Sequence, residues 1–172
     1  MAIYVTSDAH GHVRALDEAL SKISLTSDDT LYVLGDMIDR GPDPVGVIKL
    51  VRSLPNAHVL KGNHEQIMLD AIIGQDPLDA ETWDINGGWT TREQLNDMEY
   101  EAYEELVRWM AALPLYAVPE TEERPYLLVH AGIELTAARW FLLVHGVYCA
   151  DGGGAVGADR ELLQQMLAVQ SS

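Results

Sequence analysis

The sequence predicts an α/β fold, a central β-sheet flanked by helices, and two features carry that expectation. Through the first third of the chain, short β-rich apolar runs alternate with segments of helical periodicity. Polar clusters begin where strand-like runs end, the edge at which the ligand-binding loops of an open parallel sheet converge. With 172 residues the chain has the size of one domain, so a single domain over residues 1–172 is expected.

Ile3, Tyr4 and Val5 form the first strand, and Val13, Leu16, Leu20 and Ile23 recur at the three- and four-residue spacing of a helix face. Leu31 to Leu34 make a second, buried strand. Val47, Ile48, Val51 and Leu54 line a second helix that Pro42 and Pro44 help to start, and His58, Val59 and Leu60 read as a third strand. A third helix carries Ile67, Met68, Ala71 and Ile72. Residues 76–113 are helical and acidic, an insertion over one side of the sheet. It is interrupted at Asn86-Gly87-Gly88 and closed by a helix with Tyr103, Leu106, Val107 and Met110 as its apolar stripe. Its plain reading is a cap without chemistry. Leu115 to Val118 and Tyr126 to Val129 are expected strands joined by the charged turn Glu120 to Arg124. Residues 141–144 and 147–149 are short β-like runs, and Leu162, Leu163, Met166 and Leu167 give a C-terminal amphipathic helix.

A formal charge of −16, from 27 acidic and 11 basic residues, repels phosphate backbones at long range, so no nucleic-acid partner is expected. Bound divalent cations can still outweigh the carboxylates around them, which leaves small phosphate esters open as substrates. One cysteine, Cys149, cannot close an internal disulfide, and the chain starts on a strand with no signal-peptide pattern, so a cytoplasmic location is expected. No apolar run reaches the roughly 18 to 20 residues that span a bilayer, so no membrane partner is expected.

The clusters are Asp8-Ala9-His10-Gly11, Gly35-Asp36-Met37-Ile38-Asp39-Arg40-Gly41, Gly62-Asn63-His64-Glu65 and His130-Ala131-Gly132. Carboxylates, imidazoles and an amide oxygen suit Mn, Fe or Zn better than Ca or Mg. Asp8 and Asp36 lie 28 residues apart and Asp36 and Asn63 lie 27 apart, each about one strand, helix and return, so the clusters arrive side by side. Any one of them alone is as readily a solvated loop; four in order at strand ends are not. His12 and His58, at the starts of a helix and a strand, read as structural or surface residues. Cys149 reads as a small buried residue, and Trp83, Trp89, Trp109 and Trp140 read as packing residues rather than a stacking platform.

Asp-x-His-Gly, Gly-Asp-x-x-Asp-Arg-Gly, Gly-Asn-His-Glu and His-Ala-Gly, in that order, resemble the signature of the calcineurin-like metallophosphoesterases over about residues 1–133. Asn86-Gly87-Gly88-Trp89 and Asp151-Gly152-Gly153 add to the likeness. The Arg40 and Glu65 forms of the second and third motifs are most similar to the bacterial serine/threonine phosphatases. The resemblance implies a central β-sheet sandwich flanked by helices and hydrolysis by metal-activated water, without a covalent enzyme intermediate. By matching position it implies Asp8, His10 and Asp36 as ligands of one divalent ion, with Asp36 bridging to a second held by Asn63 and His130. Manganese is the expected metal, with iron or zinc as alternatives. His64 becomes the general acid, Asp39 the group that orients it and favours its imidazolium form, and Arg40 the clamp on phosphate oxygens.

The chain departs from the family after His130. The usual Gly-His-Thr is missing, and residues 134–150 are shortened relative to the family. His145 is the one candidate replacement ligand and Arg139 the one nearby arginine. Nine residues, 131–139, are short for a parallel return, and if the connection is instead a tight antiparallel one, a strand leaving the ligand edge at Trp140 carries His145 about five residues, at roughly 3.3 Å each, toward the opposite edge. The expected substrates are phosphate monoesters, foremost phosphoserine or phosphothreonine in proteins. The alternatives are a diadenosine polyphosphate hydrolase and a non-catalytic metal-binding module that uses the acidic segment Asp97 to Glu105 as a partner surface. Asp39, Arg40 and His64 are not needed merely to hold metal, which favours catalysis.

Overall fold

The computed structural model describes residues 2–74, 76–119, 121 and 126–131. The expected strands at 141–144 and 147–149, the C-terminal helix, Arg139, Trp140, His145 and Cys149 lie outside the described residues. Two compact units divide the chain: Met1–Ala117 with Val129–Ala131, and Val118–Leu128 with Gly132–Ser172. Every residue expected at the metal or catalytic site belongs to the first.

The first unit contains the predicted alternation. Strands β1 (Ile3–Thr6), β2 (Thr30–Val33) and β3 (Ala57–Val59) form a parallel sheet in that order, with Tyr4 opposite Leu31 and Val33 opposite Val59. Helix α1 (Val13–Ile23) connects β1 to β2 and ends at Ser24 in a left-handed conformation. Helix α2 (Pro44–Ser53) connects β2 to β3; Pro44 opens it, and the Asp43 carboxylate accepts the Gly46 N–H at 2.9 Å. Helix α3 (Asn63–Ile73) begins four residues earlier than its first expected apolar contact. Asn63, His64 and Glu65 therefore occupy a first helical turn rather than a loop.

The insertion is helical as expected: α4 (Pro77–Ile85), α5 (Trp89–Asn96) and α6 (Tyr100–Ala111), with the break at residues 86–88. Its most extensive contacts are with helices, α4 and α6 against α3 and α5 against α2. The core runs from Leu31 and Val33 through Val47, Ile48 and Val51 to Met68 and on to Trp83, Leu95, Leu106 and Met110. Each large apolar side chain fully buried there contributes about 1.5–3 kcal/mol. Strand β4 (Tyr116–Ala117) is shorter than expected, and β5 (Leu128–Val129) ends directly before His130. No helix among the described residues is long and apolar enough to cross a membrane.

Candidate metal and catalytic site

The loops that end β1 and β2 hold their side chains through backbone in a conformation L-residues rarely adopt. Asp8, His10, Asp36, Asp39 and Arg40 have φ of 58°, 40°, 53°, 69° and 66°. Such residues cost on the order of 1–3 kcal/mol each and persist only where their surroundings impose them. Here the two loops impose them on each other: Asp8 N–H donates to Gly35 O, His10 N–H to Asp36 O and Gly11 N–H to Met37 O, at 3.2, 2.9 and 2.8 Å. The approach is so close that a Cβ on Gly41 would lie 1.9 Å from His10 O.

A third loop is tied in by Glu65, which is fully buried at 0% exposure. One carboxylate oxygen accepts the Asp36 and Gly62 N–H groups and the other accepts that of Met37, all at 2.8 Å. Burial pushes the Glu65 carboxyl above the usual carboxylate range, and those three donors pull against it.

Asp36 lies at the centre of the resulting cluster. Its Oδ2 is 3.6 Å from His10 Nε2 and 4.0 Å from His64 Nε2, while its Oδ1 is 3.3 Å from His130 Nε2 and accepts the His64 N–H at 3.0 Å. His10 Nε2 is 3.9 Å from Asp8, and His130 Nε2 is 2.9 Å from Asn63 Oδ1. All five expected ligands thus come together. Two trios have donor atoms mutually close enough to share an ion: Asp8, Asp36 and His130, and His10, Asp36 and His64. In this grouping His64 stands beside His10 where Asp8 was expected.

The hydrogen bonds assign the imidazole protons. Arginine has donors only, and Arg40 reaches His10 Nε2 at 3.1 Å and His64 Nε2 at 2.8 Å, so both Nε2 atoms accept. The ring protons then sit on Nδ1, donated to Ile38 O at 2.9 Å in His10 and to Asp39 Oδ2 at 2.7 Å in His64. Asp39, at 0% exposure, also accepts from the Thr91 hydroxyl at 2.6 Å and from Trp83 Nε1 at 3.1 and 3.2 Å. The Asp39 N–H donates back to Thr91 Oγ1 at 2.9 Å, and the Arg40 N–H donates to Gly87 O at 3.0 Å. The expected phosphate clamp therefore bridges the two imidazoles, and the expected cap without chemistry supplies Asp39 with its partners.

The sequence pattern of the calcineurin-like phosphoesterase family matches residues 1–162. The chain belongs to that family. Bis(5'-nucleosyl)-tetraphosphatases of the symmetrical type from Erwinia tasmaniensis and Proteus mirabilis are 31% and 33% identical to it over 136 and 138 residues, each match covering 77% of this chain and 45% of the relative. The chain thus spans about 45% of the length of these curated relatives. Among solved structures, a protein serine/threonine phosphatase from Saccharomyces cerevisiae superposes with a TM-score of 0.57 at 21% identity, covering 77% of this chain and 38% of that one, a likeness of fold alone.

The donor set suits the divalent metals of this family. Two carboxylates, two imidazoles and an amide oxygen point at one another, and His10 is held in the tautomer that leaves its Nε2 lone pair facing Asp36. When bound, such ions supply Lewis acidity toward phosphoryl oxygens and activate a water. Asp8 and Asn63 are exposed, so the cluster opens to solvent on their side.

Sequence reasoning missed Thr91 and Trp83. The available signal was their position on either side of Asn86-Gly87-Gly88, together with the need of a buried indole N–H for an acceptor. Trp83 is also the packing residue expected, at 3% exposure, whereas Trp89 is 53% exposed. His58 is exposed and stacks on Tyr32, in keeping with the structural or surface place expected. His12 lies with Val13, Arg14, Glu18, Pro42 and Asp43 along an open groove of about 620 Å³ that begins two residues from both His10 and Arg40.

Proposed function

We propose that the chain carries the hydrolytic core of a phosphoesterase that cleaves phosphoanhydride bonds in dinucleoside polyphosphates. The observation that carries the hydrolytic part is the convergence of His10 and His130 on the two oxygens of Asp36, with Asp8 grouped beside them. In this reading Asp8, His10 and Asp36 hold one divalent ion, Asp36, Asn63 and His130 hold the second, and manganese is the metal that serves best. His64 protonates the leaving oxygen from Nε2, and Asp39 keeps its ring in place through Nδ1. Arg40 turns from the two imidazoles to the phosphoryl oxygens when substrate enters, which frees His64 Nε2 to take up a proton from solvent, forming the imidazolium that Asp39 favours, and to pass that proton to the leaving oxygen.

The substrate class rests on the similarity to the tetraphosphatases, which favours the dinucleotide over the phosphoserine or phosphothreonine expected first. The groove beside His12 and Arg14 supports it, because its volume is that of a site for a group as large as a nucleoside. Purified protein with Mn²⁺ is to be given diadenosine tetraphosphate and a phosphoserine peptide at equal concentration. The expected result is two ADP per dinucleotide at the higher kcat/KM. Faster release of phosphate from the peptide refutes the substrate assignment and leaves the hydrolytic site standing.

A further inference from the structure

We infer that Thr91 and Trp83, both from the helical insertion, are positioning residues that hold the Asp39–His64 pair in the arrangement needed for proton delivery. The inference rests on the proposed role of His64 as the acid and adds residues that no motif of the sequence marks.

Asp39 is a left-handed, fully buried residue whose carboxylate makes four hydrogen-bond contacts with three groups, the Thr91 hydroxyl, Trp83 Nε1 and His64 Nδ1. The Thr91 hydroxyl both accepts the Asp39 N–H and donates to its Oδ1, so one side chain closes a ring on Asp39 backbone and carboxylate together. This fixes the side-chain rotation about a backbone that is already constrained. Trp83 Nε1 lies between the two carboxylate oxygens and holds the plane of the group. The remaining free direction of Oδ2 points at His64 Nδ1. A carboxylate held in this way leaves His64 one orientation, with Nε2 directed at the Asp36 end of the cluster.

The fixing partners come from different turns of the insertion. Trp83 stands on α4 and Thr91 on α5, with Gly87 between them accepting the Arg40 N–H. Arg92 braces the indole from outside, 5.9 Å over its ring and paired with Asp84 at 2.5 Å. None of these groups lies within hydrogen-bond reach of the metal-ligand oxygens in the structure. Their influence on chemistry passes through Asp39.

Delivery of a proton matters more as the leaving group becomes more basic, which separates positioning from general support. Rates are to be measured on para-nitrophenyl phosphate and on phenyl phosphate, whose leaving group is the stronger base. Thr91→Val, nearly isosteric without the hydroxyl, should lose about 10-fold more on phenyl phosphate than on the nitrophenyl ester, and Thr91→Ser should restore the ratio. Trp83→Phe, which keeps the ring in the core and removes its N–H, should shift the ratio in the same direction. The His64 Nδ1 proton, followed by nitrogen-15 NMR in the folded protein, should give a hydrogen-bonded resonance in the parent and in Thr91→Ser that is lost or shifted in Thr91→Val. Equal losses on both esters, or an unchanged resonance in both Thr91→Val and Trp83→Phe, overturns the inference. The resonance is read without turnover and the esters contain no nucleotide, so failure of the dinucleotide assignment leaves this result distinct.

Discussion

The loops at the ends of β1 and β2 and the insertion from α4 to α6 meet at the same turn and stabilise it differently. In the loops the backbone itself is bent into left-handed conformations, and carbonyls and N–H groups of one loop satisfy those of the other. In the insertion, regular helices present one indole and one hydroxyl to a buried carboxylate. The loops resist substitution because their geometry tolerates few residues; the insertion resists it at two side chains and tolerates it elsewhere. Of the proposed ligands, Asp8, His10 and Asp36 sit on the constrained part, and the proposed Asp39–His64 pair takes its outer partners from the adaptable part.

Changes in the loops should give the largest effects. Asp36→Asn should lower turnover about 10⁴-fold or more, the scale on which loss of a central catalytic group is felt. Steady-state hydrolysis of para-nitrophenyl phosphate with Mn²⁺ checks it; retention of more than a tenth of the rate removes Asp36 from the centre of the site. His64→Asn, at the junction of the two regions, should cost about 10²-fold or more on phenyl phosphate and leave bound metal content, measured by elemental analysis, close to that of the parent. A large loss of metal in this variant would instead make His64 the ligand that its position beside His10 and Asp36 permits.

The separation of the two regions is also a matter of what a sequence can disclose. The four polar clusters were legible because metal chemistry restricts residue type and strand ends restrict place; the family resemblance then implied Asp8, His10, Asp36, Asn63 and His130 as ligands, and these five residues lie together. Their strain was not legible, since nothing in Asp39-Arg40 requires a positive φ; the packing of two loops imposes it. Helices α4, α5 and α6 were readable from periodicity and from the glycine break, but the partners of Asp39 were not, because Trp83 and Thr91 lie 44 and 52 residues away from it. The preference among phosphoesterase branches, read from Arg40 and Glu65, pointed to phosphoproteins. Those two residues sit against the imidazoles and on the loop backbones, where they say little about what lies beyond the phosphate.

Smaller effects refine the contrast. Glu65→Gln turns one acceptor oxygen into an amide donor facing a buried N–H, which should cost about 1–3 kcal/mol. For a chain of this size that is a fall in melting temperature of roughly 2–4 °C per kcal/mol, read by thermal unfolding. An unchanged melting temperature would mean that the loops hold one another without this anchor. At the far side of the insertion, Arg108→Ala removes an exposed pair with Glu104 on α6 and should shift stability by no more than about 0.5 kcal/mol, with turnover unaltered. A loss of rate there would show that α6 communicates with Asp39 after all.

Glu65 has one more consequence. The same carboxylate gathers N–H groups from the loop that carries Asp36 and from the turn that launches Asn63. Those two segments cannot drift apart, or draw together, by more than the slack in three short hydrogen bonds. The gap between Asp36 and Asn63, and between whatever the two residues hold, is measured out by the reach of a single glutamate. A chain with aspartate in its place would have to rebuild both segments one methylene closer, so evolution can alter that gap only by rewriting two distant stretches of sequence at once.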